Sequence, residues 1–217
     1  MTERFPGYDV LSKRSTPSWN QQTRTVIDAR LATNPEAHAF FDSVEWETLK
    51  AICARIIPQP ADRQHPVPLA AMVDEKITTG ATDGYRDARV PPMGEAWRRG
   101  LGALDAEAMA RHQRSFGQLG AAEADGLLSA AQQGFLTDPA WDGLCAELFF
   151  KQRIIPDIVG AYYAHPTAWS EIGFGGPAAP RGYVRTDFDR RDPWEASEAR
   201  PGREAVALRE NQRVGRS

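Results

Sequence analysis

Residues 40–60, FFDSVEWETLKAICARIIPQP, constrain the fold more than any other stretch of the chain. Asp42 precedes the apolar run and Glu45 follows three residues later. That spacing lets each side chain accept an end amide that the other leaves unsatisfied, which is a capping box. Phe41 and Trp46 have the spacing of a hydrophobic staple across the same helix start. Leu49, Ile52, Cys53, Ile56 and Ile57 then recur at intervals of three and four, the period of a helix buried on one face. Pro58 and Pro60 end it, because the residue before a proline is pushed out of the helical region. Nowhere do β-branched residues alternate for more than a few positions.

The same periodicity continues downstream. Pro68 can open a helix whose buried stripe is Leu69, Met72, Val73 and Ile77, with Gly80 stopping it. A longer helical region carries Trp97, Leu101 and Leu104, with Asp105 placed to re-cap it and Met109, His112 and Phe116 continuing. Gly100 and Gly102 either weaken this helix or let something pack close to it. Another helix is predicted at about 121–134, with Leu127, Leu128 and Ala131 inside. Asp138-Pro139 reads as a cap followed by a first-turn proline, opening a final core helix through Leu144, Leu148, Phe149, Ile155, Val159 and Tyr162. Pro156 must kink or restart that helix. His165-Pro166 ends it, with the imidazole expected near the last carbonyls. The expectation is an all-α fold, a compact bundle of about five to six helices over residues 42–180.

Residues 1–41 and 181–217 read as arms on that bundle. The N-terminal arm is punctuated by Pro6-Gly7, Pro17 and Asn34-Pro35. Asn20 can cap a short helix with Val26, Ile27 and Leu31 along it. The arm also holds Phe5, Tyr8, Trp19, Phe40 and Phe41, which a solvated tail lacks, so these aromatics expect a surface to lie on. Residues 173–182, GFGGPAAPRG, are too rich in glycine and proline for helix or strand. The C-terminal arm then carries nine arginines and seven acidic residues, with Tyr183, Phe188 and Trp194 as its aromatics and a short charged helix expected at 203–213.

Composition excludes several classes of function. The net charge of −3 supplies no electrostatic footprint for nucleic acid. No run approaches the ~20 apolar residues of a membrane span. Twenty-two arginines stand against four lysines, which fits either interface chemistry or a GC-rich genome. The glycine cluster Gly173-Phe174-Gly175-Gly176 is followed by Pro177 and Pro180 and flanked by no strand, so it is not the turn that cradles a dinucleotide pyrophosphate. There is no GxxxxGK[ST] loop, no GxSxG elbow, and no close pairing among His38, His65, His112 and His165. Cys53 and Cys145 sit in apolar helical sequence. They read as two buried thiols, with an internal disulfide or one to a partner as open alternatives.

Four stretches together resemble the gluconate 2-dehydrogenase subunit 3 family: residues 40–59, PLAAMVDEKI at 68–77, WRRGLGALDAEA at 97–108, and FFKQRIIPDIVGAYYAHPTAWSEIGFGGP at 149–177. The strongest element is the last aromatic helix and the turn after it: Tyr162, Tyr163, Trp169, Ile172, Gly173, Phe174 and Gly175. The resemblance implies a small helical accessory subunit, itself without flavin. Its partner would be a large FAD-containing subunit of the glucose–methanol–choline oxidoreductase type, which oxidises a sugar or sugar acid at a CH–OH group. A cytochrome subunit as a further partner is left open. Many members carry a twin-arginine export signal. The opening residues here show neither paired arginines nor an apolar segment, so the expectation is cytoplasmic, or periplasmic only if a partner supplies the signal.

Aromatic residues and arginine dominate interface energetics, which makes Tyr8, Trp19, Tyr162, Tyr163, Trp169, Phe174 and Trp194 the candidate partner contacts. Each also has a plain core reading. Tyr162 and Tyr163 point in different directions on a helix, so at least one belongs inside. Trp169 and Phe174 can equally pin the glycine turn onto this chain's own core. Two other functions compete with the accessory subunit: a stand-alone enzyme whose site is assembled from scattered polar residues, and a helical chaperone that leaves its flavoprotein after loading.

Overall fold

Nine α-helices and no strand are found among the described residues of the computed structural model, which are 3–63, 65–82, 84–178 and 194–215. In chain order they are α1 (Gln21–Leu31), α2 (Ser43–Ile56), α3 (Leu69–Thr78), α4 (Met93–His112), α5 (Ala121–Gln133), α6 (Ala146–Phe149), α7 (Ile155–Ala164), α8 (Pro166–Ile172) and α9 (Glu204–Asn211). The all-α expectation holds. The chain divides differently from the predicted arms and bundle. Thr33–Tyr162 make one compact unit, and Met1–Ala32 with Tyr163–Ser217 make the other. Residues 179–193 of the predicted C-terminal arm, with Tyr183 and Phe188, lie outside the described residues.

In the central unit, α2 starts as its sequence demands. The Asp42 carboxylate accepts from the amides of Val44 and Glu45, both at 2.9 Å, and Glu45 accepts from Asp42 N at 3.0 Å. Phe41 and Trp46 are both buried at that start. The segment leading in is fixed by Asp74 on α3. Its buried carboxylate accepts the amides of Ala39, Phe40 and Phe41 at 2.8–3.1 Å. Three amides converging on one carboxylate offset its desolvation, so a buried aspartate here is stabilising rather than costly.

α4 runs unbroken for 20 residues. Asp105 does not re-cap it. Its carboxylate instead accepts the amide of Phe116 at 2.8 Å, anchoring the 3-10 turn Phe116–Gln118 beyond the helix end. Gly100 lets α4 be approached closely. A Cβ there would stand 2.3 Å from the Phe149 ring, whereas a Cβ at Gly102 would meet nothing within 4 Å. Phe149 in turn packs edge-on against Trp97, with ring centroids 5.4 Å apart.

The final core helix differs from its prediction at its start. Asp138 does cap, accepting Ala140 N at 2.8 Å, but what it caps is a 3-10 turn, Pro139–Trp141. Asp142 and Gly143 then take positive φ of 43° and 79°, which no helix can accommodate, so α6 begins only at Ala146. Between α6 and α7 the chain widens into a π-helical stretch, Phe150–Ile154. Pro156 follows one residue beyond it and has no N–H for the carbonyl one turn earlier, Gln152 O. That carbonyl accepts from Arg153 Nε instead. At the far end His165 stands at the start of α8. Its buried imidazole Nδ1 accepts the amide of Thr167 at 3.3 Å and caps α8.

In the other unit, Asn20 caps α1 through Thr23 N at 2.8 Å, as its position predicts. Its core is Tyr8, Val10, Trp19, Ile27, Trp169 and Val214, with Phe5, Leu11, Trp194 and Ala196 packed against it.

Gly100→Ala is expected to cost about 1–3 kcal/mol, because the new methyl overlaps an immobile ring. Gly102→Ala is expected to be neutral or to stabilise by up to about 1 kcal/mol through helix propensity alone. Urea unfolding of the two variants checks the pair.

Candidate interaction surface

The seven aromatic candidates separate by exposure. Tyr8, Trp19 and Trp169 are 5%, 1% and 3% exposed and form the core of their own unit. Trp194 is partly buried against the same core. These four side chains are engaged within the chain and stand as packing residues in this conformation, not as open contacts. Tyr162 is buried, while Tyr163 is 48% and Phe174 41% exposed. Successive helical residues lie about 100° apart, which is why the tyrosine pair divides between inside and outside.

Trp169 serves as the pin of the glycine turn. Its indole N–H donates to Tyr163 O at 2.6 Å, and its ring meets Phe174 edge-on at 5.8 Å. The Arg30 guanidinium lies 5.9 Å from the ring centroid and donates to Ala164 O at 2.7 Å. A Cβ at Gly176 would stand 3.1 Å from Trp169 and 3.2 Å from Trp19, a tight fit between the two indoles, and φ of +66° favours glycine further. The turn is closed from the other side by Lys13, whose buried ammonium donates to Gly175 O.

Sequence reasoning passed over the two most exposed aromatics, Tyr85 at 85% and Phe135 at 68%. Phe135 directly follows Gly134, the left-handed residue that ends α5, and a Gly-aromatic pair at a helix end was the available signal. Tyr85 sits in a polar loop and had none. Ile172, 46% exposed, stands with Tyr163 and Phe174 near the turn.

The buried acids and several other ionisable groups of the central unit are occupied with structure. Asp157 has a fully buried side chain. One oxygen accepts Lys76 Nζ at 2.9 Å and the other Trp97 Nε1 at 2.8 Å, with Arg153 at 3.6 Å. Glu107 likewise accepts Asp138 N at 2.9 Å and Trp141 Nε1 at 3.3 Å, and pairs with Arg111 at 2.9 Å. Arg55 forms a two-pronged pair with Asp125, joining α2 to α5, both bonds 2.7 Å. On the surface loop, the Arg89 guanidinium holds Asp87 down to about 2. His112 is 3.7 Å from Glu123, and His38 stacks on Trp46. Among the described residues no group of three or more His, Cys, Asp or Glu is placed to hold a metal. A cleft of about 260 Å³ beside α2 is lined mainly by apolar groups, including Ile57, Val67 and Leu69, and its Lys50 and Gln59 are engaged by Glu47 and by the Val67 backbone.

Both cysteines are free. Cys53 is buried and Cys145, expected inside, is exposed just ahead of α6. Burial pushes the Cys53 thiol well above its ordinary range, so it is a poor nucleophile.

These features describe an all-helical protein whose buried acids hold helices together and several of whose large apolar side chains reach solvent. The chain belongs to the gluconate 2-dehydrogenase subunit 3 family, whose model matches residues 43–176. No curated protein and no solved structure matches it.

A thiol reagent is expected to titrate one cysteine, Cys145, in the native protein and two after denaturation. Prompt reaction of both in the native state would contradict the burial of Cys53.

Proposed function

We propose that this chain is the small, non-catalytic subunit of an FAD-dependent dehydrogenase, binding and stabilising a large flavin-containing subunit of the glucose–methanol–choline type that oxidises a sugar or sugar acid at a CH–OH group. The observation that carries this reading is membership of a family described as a dehydrogenase's third subunit, over more than half of the chain. The physical features agree with it. The buried acids Asp74, Glu107 and Asp157 each serve as structural acceptors, and the buried thiol is held protonated. Tyr163, Ile172 and Phe174, together with Phe135 and Tyr85, are large exposed side chains whose burial against another protein would be favourable.

On this reading FAD belongs to the partner and this chain holds no cofactor of its own. We place the assembly in the cytoplasm, where a buried and an exposed free thiol both stay reduced.

The test is co-expression with a candidate flavoprotein from the same source. The expected result is a stable equimolar complex with flavin absorbance and dye-linked sugar oxidation, and neither signal from the isolated chain. Tightly held flavin or alcohol turnover in the isolated chain would sink the proposal, as would release of the chain once the flavoprotein is loaded.

A further inference from the structure

The two ends of the chain, which the sequence presents as separate arms, are interlocked. Ala199 N donates to Arg4 O at 2.8 Å, and Arg4 Nε pairs with Glu198 at 2.6 Å. Asn211 on α9, 2% exposed, is the central tie. Its amide nitrogen donates to Pro6 O and to Ser197 O, both at 3.0 Å, and its carbonyl accepts Ser197 N at 2.7 Å. Two glycines allow close approach. A Cβ at Gly7 would stand 2.6 Å from Leu208 Cδ1, and one at Gly215 only 1.9 Å from the carbonyl oxygen of Ser12.

The joined ends close on α8 and the glycine turn. Val10 N donates to Ser170 Oγ at 3.2 Å, Lys13 holds Gly175 O, and Phe5 lies over Gly173, where a Cβ would meet its ring at 2.6 Å. Of the six buried residues in this core, Trp169 alone falls within the span matched by the family model. Residues from outside that span therefore cover the apolar side of its last motif.

We propose that the two chain ends form one cooperative clasp on Trp169 and the glycine turn, so that this unit is ordered before any partner arrives and associates as a preformed body. The clasp stands on the contacts above; the statement about association rests on the function proposed in the preceding subsection. The physical reason for cooperativity is that each end lacks a core by itself. The N-terminal residues supply Tyr8, Val10, Trp19 and Ile27, the C-terminal residues supply Val214, and the ordering entropy of both is offset only when they meet. A preformed unit also avoids the ordering cost carried by segments that fold on their target.

Hydrogen exchange on the isolated, full-length chain tests this. The amides of Val10, Ser197 and Ala199 are expected to exchange at least ~100-fold more slowly than in an unstructured peptide. In Gly215→Val, which drives a side chain into the Ser12 carbonyl, both ends are expected to speed up together, by about tenfold or more, while α2 and α4 keep their protection. Asn211→Asp, which replaces the amide that donates to Pro6 and Ser197 with a buried carboxylate facing the same two carbonyl oxygens, is expected to act in the same direction on both ends. Unprotected ends in the parent chain, or a response confined to residues 194–215 in either variant, would overturn the clasp. Failure to co-purify with a flavoprotein would remove the proposed function and leave this result standing.

Discussion

The buried Asp157 carboxylate is the interaction on which the central unit depends. It draws Lys76 of α3 and Trp97 of α4 to one point on α7, each at hydrogen-bond distance. A carboxylate with no solvent access is costly to desolvate, and the ammonium, the indole N–H and the nearby Arg153 offset that cost only while all three elements stay in place. Trp97 is thereby fixed at its polar end, and its ring then sets the position of Phe149, which in turn requires Gly100 to be bare. A polar tie thus specifies which of several apolar packings α4 adopts against the last helix.

Where local chemistry decides, the sequence was readable. The capping box at Asp42, the Asn20 cap, the stop at Gly80, and Trp97, Leu101 and Leu104 along α4 lie where spacing puts them, whereas Met109, expected to continue that stripe, is exposed. What escaped depends on contacts between distant residues. Asp105 has the look of a cap but spends its carboxylate on Phe116, eleven residues on. His165, read from sequence only as the end of one helix, also caps the helix that follows it. Asp138 caps a turn and not a helix, because Asp142 and Gly143 reverse the backbone within one turn. The aromatics of the terminal segments announced that they needed a surface, yet nothing local showed that each end would be the other's surface.

The same distinction governs the candidate site. Aromatic type and family resemblance singled out residues around the glycine turn, and the turn is indeed a focus of packing. Burial then sorts them: Trp169 and Trp19 stabilise the turn from within, while Tyr163 and Phe174 keep exposed surface. An anchor residue and a core residue draw on the same chemistry, a large ring desolvated on both faces, so composition cannot separate them. Only the three-dimensional arrangement tells which rings already have their cover.

The π-helical stretch ahead of Pro156 has a consequence for the spacing of this region. From Phe149 to Asp157 is eight residues, about 80° of rotation out of phase in a regular α-helix, but one residue absorbed in the wider turn brings the two back to within about 20° of a common face. Phe149, Ile154, Asp157 and Ile158 can all point inward on that account. Trimming a single residue here to regularise the helix would swing everything beyond it through roughly a quarter of a circle, carrying the carboxylate away from its lysine and indole. The length of this segment is accordingly as constrained as its composition.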